Sequence, residues 1–311
     1  MKAGLNVFYA IGKYFINYFT VSLTSLLENN RDLDLNIFLI YDFTERELLD
    51  SVIDFFSLKY GINVNLIFQD ISIFDKYPIG AHVSKNTYLR LLIADLIPNS
   101  INSGLFLDSD TIITGSLNEL AGKNFEGCLP DEHNPGLYLY AVAEIPMMDD
   151  YNSKRLKKLG FNVKRYFNGG VMIINLKKWR QEGITRKFMD IADEYVNDLL
   201  YWDQDIMNML FANKWEEINS EYNALHLLWK CKRTPVIIHY AGASKPWHYL
   251  DRHPYKYQYF KYLKLTPFRE QKYSDFKLRN MPYKYYRDIR HFLNYFRQIA
   301  LGNLHPATTP L

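Results

Sequence analysis

The first hundred residues switch repeatedly between two hydrophobic periods, and that switching leaves few architectures open. Strand-length apolar runs lie at 5–10 (LNVFYA), 35–42 (LNIFLIYD), 64–69 (VNLIFQ) and 103–110 (SGLFLDSD). Between them, residues 14–28, TERELLDSVIDFFSLKY (44–60) and KNTYLRLLIADLI (85–97) repeat at helical spacing. Thr44 to Glu47 reads as a capping box, and Leu89, Leu92 and Ile93 share one face of the third helix. Strand and helix in alternation predict an α/β fold with a mostly parallel sheet. The near-continuous apolar LNIFLIYD suits a strand covered on both faces. Further on, 137–145, 169–176 and 235–242 read as strands, and 177–195 and 203–212 as helices. There is no internal repeat and no low-complexity linker, so one compact domain with a C-terminal extension is the expected organisation.

Sheets of this kind bind ligands at the carboxyl ends of their strands, where the strand order reverses. LFLDSD (105–110) puts Asp108 and Asp110 there, between the apolar GLFL and TII. Two carboxylates in largely apolar surroundings repel and are poorly solvated, and a divalent cation resolves both problems. From context alone a metal site and an exposed turn both stay open. Two other Asp-x-Asp triplets show how weak the triplet is by itself. Asp32 and Asp34 lie in a polar turn, while Asp203 and Asp205 open a predicted helix, where acids favour the dipole. His239, at the end of the apolar VIIHYAG, is a candidate third ligand.

Charge narrows the functional classes. The chain of 311 residues carries a net charge of +3, which argues against a nucleic-acid partner. The balance hides an asymmetry. Residues 245–299 hold 13 basic and 4 acidic side chains with 16 aromatics, and the remainder is net acidic. Cys128 and Cys231 form neither a disulfide framework nor a metal spacing, so two reduced thiols are expected. No signal peptide is evident, and the longest uncharged run near the N-terminus, Tyr14 to Leu27, has 14 residues. About 20 are needed to span a bilayer. A cytoplasmic protein is expected.

Five ordered segments resemble glycosyltransferase family 8, the retaining sugar-nucleotide transferases of the GT-A (Rossmann-like) fold. They are TYLRLLIADLIP (87–98), LFLDSDTIITGSL (105–117), YFNGGVMIINLKKWR (166–180), WDQDIMNMLF (202–211) and HYAGASKPWH (239–248). Bacterial lipopolysaccharide galactosyl- and glucosyltransferases look most similar, and the resemblance spans roughly residues 5–250. It implies a UDP-hexose donor, galactose or glucose, and an oligosaccharide or lipid-linked glycan acceptor. It further implies Mn²⁺, with Mg²⁺ as substitute, held by Asp108, Asp110 and His239 across the donor's two phosphates. Ser109 lies between the two acids, and Gly242 and Lys245 match diphosphate contacts. Arg90 matches an arginine near the sugar and phosphates. Asn168 and Asp203 match sugar-binding groups and Gln204 matches the side chain beneath the anomeric carbon, so that Gln204, Asp203 and Asp205 are the expected catalytic residues. His82 aligns with an acceptor-side histidine. Glu144 sits where the family carries an Asp.

The resemblance fails at one place. The family's acids and Asn after the first strand are replaced here by Ile11, Gly12 and Lys13 in FYAIGKYF. Base contacts are then expected from the backbone of Ala10 and Ile11, with Lys13 adding a cation. This departure motivates one alternative, a degenerate member that binds nucleotide or glycan without turnover. A metal-dependent nucleotidyltransferase is another, for which AIGKYF is a poor phosphate loop. Three regions are expected: a catalytic domain at 1–250, a basic aromatic extension at 251–299 and a tail at 300–311. Within the extension, Tyr285, Ile289, Phe292, Phe296 and Ile299 share a helical face, and Lys284, Arg287, Arg290 and Arg297 lie mostly elsewhere. That pattern predicts peripheral contact with the anionic inner face of the cytoplasmic membrane.

Overall fold

The computed structural model describes residues 2–77, 85–123, 125, 136–225, 234–251 and 253–278, with eight further positions between 281 and 297. His82, Cys128, Cys231, Lys284, Arg287, Phe292, Phe296, Ile299 and the tail lie outside the described residues. The alternation is realised as β1 (Gly4–Ile11), α1 (Ile16–Asn29), β2 (Asp34–Tyr41), α2 (Glu47–Tyr60), β3 (Val64–Phe68), α3 (Ile93–Leu96) and β4 (Ser103–Leu107). The chain continues through β5 (Thr111–Ile113), α4 (Asn118–Ala121), β6 (Leu139–Ala143), α5 (Pro146–Lys158) and β7 (Phe167–Asn175). It then forms α6 (Leu176–Gln181), α7 (Ile184–Glu194), α8 (Trp202–Leu210), β8 (Trp215–Glu217), β9 (Ile237–His239) and α9 (Lys256–Leu263).

Seven strands make the main sheet, in the order β3-β2-β1-β4-β7-β6-β8. β1 pairs in parallel with β2 and β4, and β2 with β3. β7 runs antiparallel between β4 and β6, so the sheet is mixed but mostly parallel. The order turns back between β1 and β4, and that switch point positions the site. Both faces are covered, as the apolar strands require. Val7, Tyr9 and Ile11 enter one core layer with residues of α1 and α2, while Phe8 enters the opposite layer with Phe106, Met172 and Trp179. Gly104 is needed in β4 because a Cβ there would strike the Phe8 ring.

Local expectations fail where tertiary contacts outbid them. The Thr44 to Glu47 capping box does not form. α2 begins at Glu47 with Arg46 at its cap and no side-chain cap bond, and the neighbouring Glu45 and Arg46 pair with Lys13 and Asp50. The expected helix at 85–97 is mainly a 3-10 helix, Lys85–Leu92. Tyr88, Leu89, Arg90, Leu91 and Leu92 are all buried, so no single face selects the α period. The helix expected at 177–195 is two helices, broken at Gly183 with φ +58°. The last expected strand, β9, joins β5 in a separate two-stranded sheet.

Beyond residue 250, α9 stays on the body. Tyr259, Tyr262 and Leu263 of α9 pack with Val21, Ile112, Ile238, Tyr240 and Trp247. Among the described residues no helix is long and apolar enough to cross a membrane.

Candidate active site

β4 stops at Leu107, and Asp108 N–H donates to the Gly170 carbonyl at 2.8 Å as the chain leaves the sheet. Thr111 then starts β5 and pairs with His239 of β9. This one register brings together side chains 129 residues apart. His239 Nε2 lies 3.3 Å from Asp110 Oδ1 and 3.7 Å from Asp108 Oδ2. Among the described residues, Asp108, Asp110 and His239 form a group able to hold a metal ion, with ligand atoms within 4.8 Å of one another.

The surroundings fit such an ion. His239 Nδ1 lies 2.9 Å from Asn223 Oδ1, so an Nδ1–H donated there leaves the Nε2 lone pair facing the carboxylates. Asn223 Nδ2 in turn donates to Asn168 Oδ1 at 2.9 Å. Gly170 keeps the cradle open, since a Cβ there would collide with His239 and Asp108. Two carboxylates and an imidazole suit Mn²⁺ well. Ser109 is buried between the acids. Burial raises the Asp108 carboxyl, and Arg90 opposes that rise. At Asp110 burial also favours the neutral form, but Lys245 and His239 overcome it and hold the group well below the usual carboxylate range.

Cations flank the pair. Lys245 Nζ lies 2.5 Å from Asp110 Oδ2 and 2.6 Å from the Tyr240 carbonyl oxygen. Gly242, at φ +70°, supplies the left-handed turn between them, and a Cβ there would meet open space. Arg90 is buried. Its Nη1 donates to the Gly169 carbonyl at 2.6 Å and lies 3.5 Å from Asp108 Oδ2, while its Nε lies 2.7 Å from Asp203 Oδ2. Burial works against the guanidinium charge, but Asp108, Asp203 and Asp110 outweigh it and raise its pKa.

A second cluster forms from β6, β7 and α8. Glu144 Oε1 accepts from Asn168 Nδ2 at 2.8 Å and from Gln204 Nε2 at 3.5 Å. Gln204 Oε1 accepts from Gly169 N–H at 2.9 Å. Asp203 is buried, and that burial, opposed by Arg90, pushes its carboxyl up to about 6. Asp205 is placed differently. Its oxygens accept from Tyr166 Oη at 2.7 Å, Arg155 Nη2 at 2.5 Å and the Leu200 and Tyr201 amides at 2.7 and 2.9 Å. It anchors the start of α8 and, through the helix, Asp203 and Gln204.

At the end of β1 the Ile11 side chain is buried in the core, so this residue offers only its backbone to a ligand. Ala10 is half-buried, and Lys13 pairs with Glu45. Asn223 was not foreseen. It is a lone Asn in SEYNAL, and nothing local marks it as the histidine's partner.

An α/β sheet with an Asp-x-Asp and histidine group at its switch point has the architecture of a GT-A glycosyltransferase. Residues 6–251 match the model of glycosyl transferase family 8, and the chain belongs to that family. It is 32% identical over 247 residues to a lipopolysaccharide 1,2-glucosyltransferase of Escherichia coli, covering 73% of this chain and 68% of the relative. A lipopolysaccharide 1,3-galactosyltransferase of Salmonella typhimurium is 27% identical, over 82% of this chain and 76% of the relative. The solved galactosyltransferase LgtC, in complex with donor and acceptor sugar analogs, shares the fold. Its TM-score is 0.72 at 22% identity, over 85% of this chain and 96% of LgtC.

Proposed function

We propose that this glycosyltransferase moves a hexose, galactose or glucose, from a UDP-sugar to a glycan or lipid-linked acceptor during bacterial surface polysaccharide synthesis, with retention of configuration. The observation that carries the reading is the convergence of Asp108, Asp110 and His239 beside Arg90 and Lys245. Three anionic or neutral ligands face the cation, and two fixed cations remain for phosphate oxygens. Relatives named as glucosyl- and galactosyltransferases support a hexose donor.

The metal, Mn²⁺ with Mg²⁺ as substitute, would be held by Asp108, Asp110 and His239 and would neutralise charge on the departing diphosphate. Arg90 and Lys245 bind the same phosphates and stabilise the developing negative charge. Asn168, Asp203 and Gln204 orient the sugar by hydrogen bonds to its hydroxyls. Gln204 is a neutral amide with its oxygen engaged by Gly169, which makes it a poor nucleophile. Transfer then proceeds from one face. The acceptor oxygen bonds to the anomeric carbon as the carbon–phosphate oxygen bond breaks. That electron pair stays on the diphosphate, which takes the acceptor's proton. The Gln204 dipole stabilises positive charge at the anomeric carbon, and trapping a sugar adduct on Gln204 would overturn this route.

The C-terminal segment supports a site of action at the membrane face. Among its described positions, Leu278, Met281, Tyr285, Tyr286, Ile289 and Leu293 are exposed, beside the basic Arg290 and Arg297. Apolar and basic side chains together suit the anionic inner face of the cytoplasmic membrane. The functional test is UDP release from a panel of UDP-sugars with Mn²⁺. Release should depend on a hexose donor and disappear in Asp110→Asn. Pyrophosphate, or no release from any donor, would reject the reading.

A further inference from the structure

The end of β1 lacks the acid that family resemblance leads one to expect, yet the structure brings another acid to the same place. β1 and β2 run in parallel with Ile11 opposite Tyr41, so Gly12 and Asp42 leave the sheet side by side. Asn86, near the start of the buried 3-10 helix, packs its side chain on Gly12. A Cβ at Gly12 would collide with Asn86 Oδ1. Gly12 is in extended backbone, at φ −92°, so contact rather than conformation calls for glycine there. Asn86 also approaches the Asp42 carboxylate and, after burial, is the main influence on it. The contact lowers the Asp42 carboxyl as a weak hydrogen bond would, yet the buried Asn86 Nδ2 has no acceptor in good hydrogen-bond geometry among the described residues. A half-buried carboxylate beside a buried, unused amide donor is costly unless a ligand completes the set.

The same 3-10 helix connects this pair to the metal group. Arg90, which reaches Asp108, follows Asn86 by four residues, roughly 8 Å of 3-10 rise. A nucleotide with its diphosphate at Arg90 and the metal group would carry its base toward the ends of β1 and β2. Nearby, Lys13 is engaged by Glu45, and Lys85 adds a favourable charge near the Asp42 carboxylate.

We propose that Asp42 and Asn86 read the base of the nucleotide donor, replacing the first-strand acid, and that they select a keto pyrimidine such as uracil. The Asp42 carboxylate accepts from the ring N–H, and Asn86 Nδ2 donates to an adjoining carbonyl oxygen. A carboxylate only accepts, so cytosine is rejected, because its ring nitrogen at that position is also an acceptor. Gly12 is the floor that lets Asn86 lie close enough to act. The inference rests on the nucleotide-sugar reading above and adds the residues that choose the base.

The test is equilibrium binding of UDP and CDP, each with Mn²⁺, to the full chain and to Asp42→Asn, Asn86→Ala and Gly12→Ala. Asp42→Asn preserves shape, and Gly12→Ala displaces Asn86 without changing either polar group. The wild type should prefer UDP over CDP by tenfold or more. Asn86→Ala and Gly12→Ala should each lose about tenfold in UDP affinity with CDP binding unchanged. Asp42→Asn should lose UDP affinity and gain CDP affinity, because its amide can donate to the cytosine ring nitrogen. Mn²⁺ binding should be unchanged in all three. An intact UDP preference in all three variants would overturn the assignment and leave the nucleotide reading standing. If the wild type binds neither nucleotide with Mn²⁺, the nucleotide reading falls and the base assignment falls with it.

Discussion

A carboxylate that accepts from two amides leaves each amide one defined orientation. Glu144 does this for Asn168 and Gln204, so it acts on the sugar through their positions. Glu144→Gln can donate as well as accept and would allow either amide to flip. We expect kcat to fall about tenfold, equivalent to about 1.4 kcal/mol, with Mn²⁺ affinity unchanged. Unchanged kcat would remove Glu144 from the positioning set. Asp203 offers a pH test. Its pKa rises from 3.8 to about 6, chiefly through burial. An acid raised in the folded state binds more protons folded than unfolded, so its contribution to stability is greatest below 3.8 and declines as pH rises toward 6. In chelator, the wild-type Tm should carry this decline and Asp203→Asn should lack it. Equal slopes would assign the decline elsewhere. At this scale the sequence revealed the candidate metal group of Asp108, Asp110 and His239, because Asp-x-Asp and His-Tyr-x-Gly are contiguous signals. Asn223 and Asp42 were illegible, because each gains its role from a neighbour distant in the chain.

Elements place those residues by register and by close approach. β7 carries Gly169 and Gly170 past Arg90, His239 and Asp108, and a side chain at 170 has nowhere to go. Gly170→Ala should weaken Mn²⁺ binding at least tenfold by titration while the protein stays folded, and unaltered affinity would refute the cradle. Arg180 holds another junction. Its guanidinium donates to the carbonyls of Ala94, Ile97, Pro98 and Ile101 at the end of α3. Arg180→Met removes the guanidinium donors from those carbonyls, of which Pro98 keeps the Ile101 N–H, and should cost about 2 kcal/mol in urea unfolding. A change within 0.5 kcal/mol would mean that solvent replaces the guanidinium. Most strands were legible because short apolar runs are a local signal, and β1, β2 and β4 send alternate side chains to opposite core layers. The 85–97 segment departs from the expected α-helix because all-round burial, which no local pattern records, decided it.

The whole molecule combines a candidate metal group at the junction of two sheets with exposed apolar and basic side chains near its C-terminus. The intact protein should co-sediment with anionic vesicles at low salt and be released as salt rises, since surface attraction fades within a Debye length. Indifference to anionic vesicles would refute membrane association. The sequence by itself determined the α/β class, the carboxyl-end placement of Asp108 and Asp110, and the family, because these depend on periodicity and on motifs read in order. Tertiary structure alone decided which groups meet. It paired Thr111 with His239, set Asn223 behind that histidine, saturated Asp205 with protein donors and brought Asp42 and Asn86 to the vacated end of β1. The physical reason is that hydrophobic periodicity is written residue by residue, whereas a hydrogen-bond partner across a sheet is fixed only when strand order and register are.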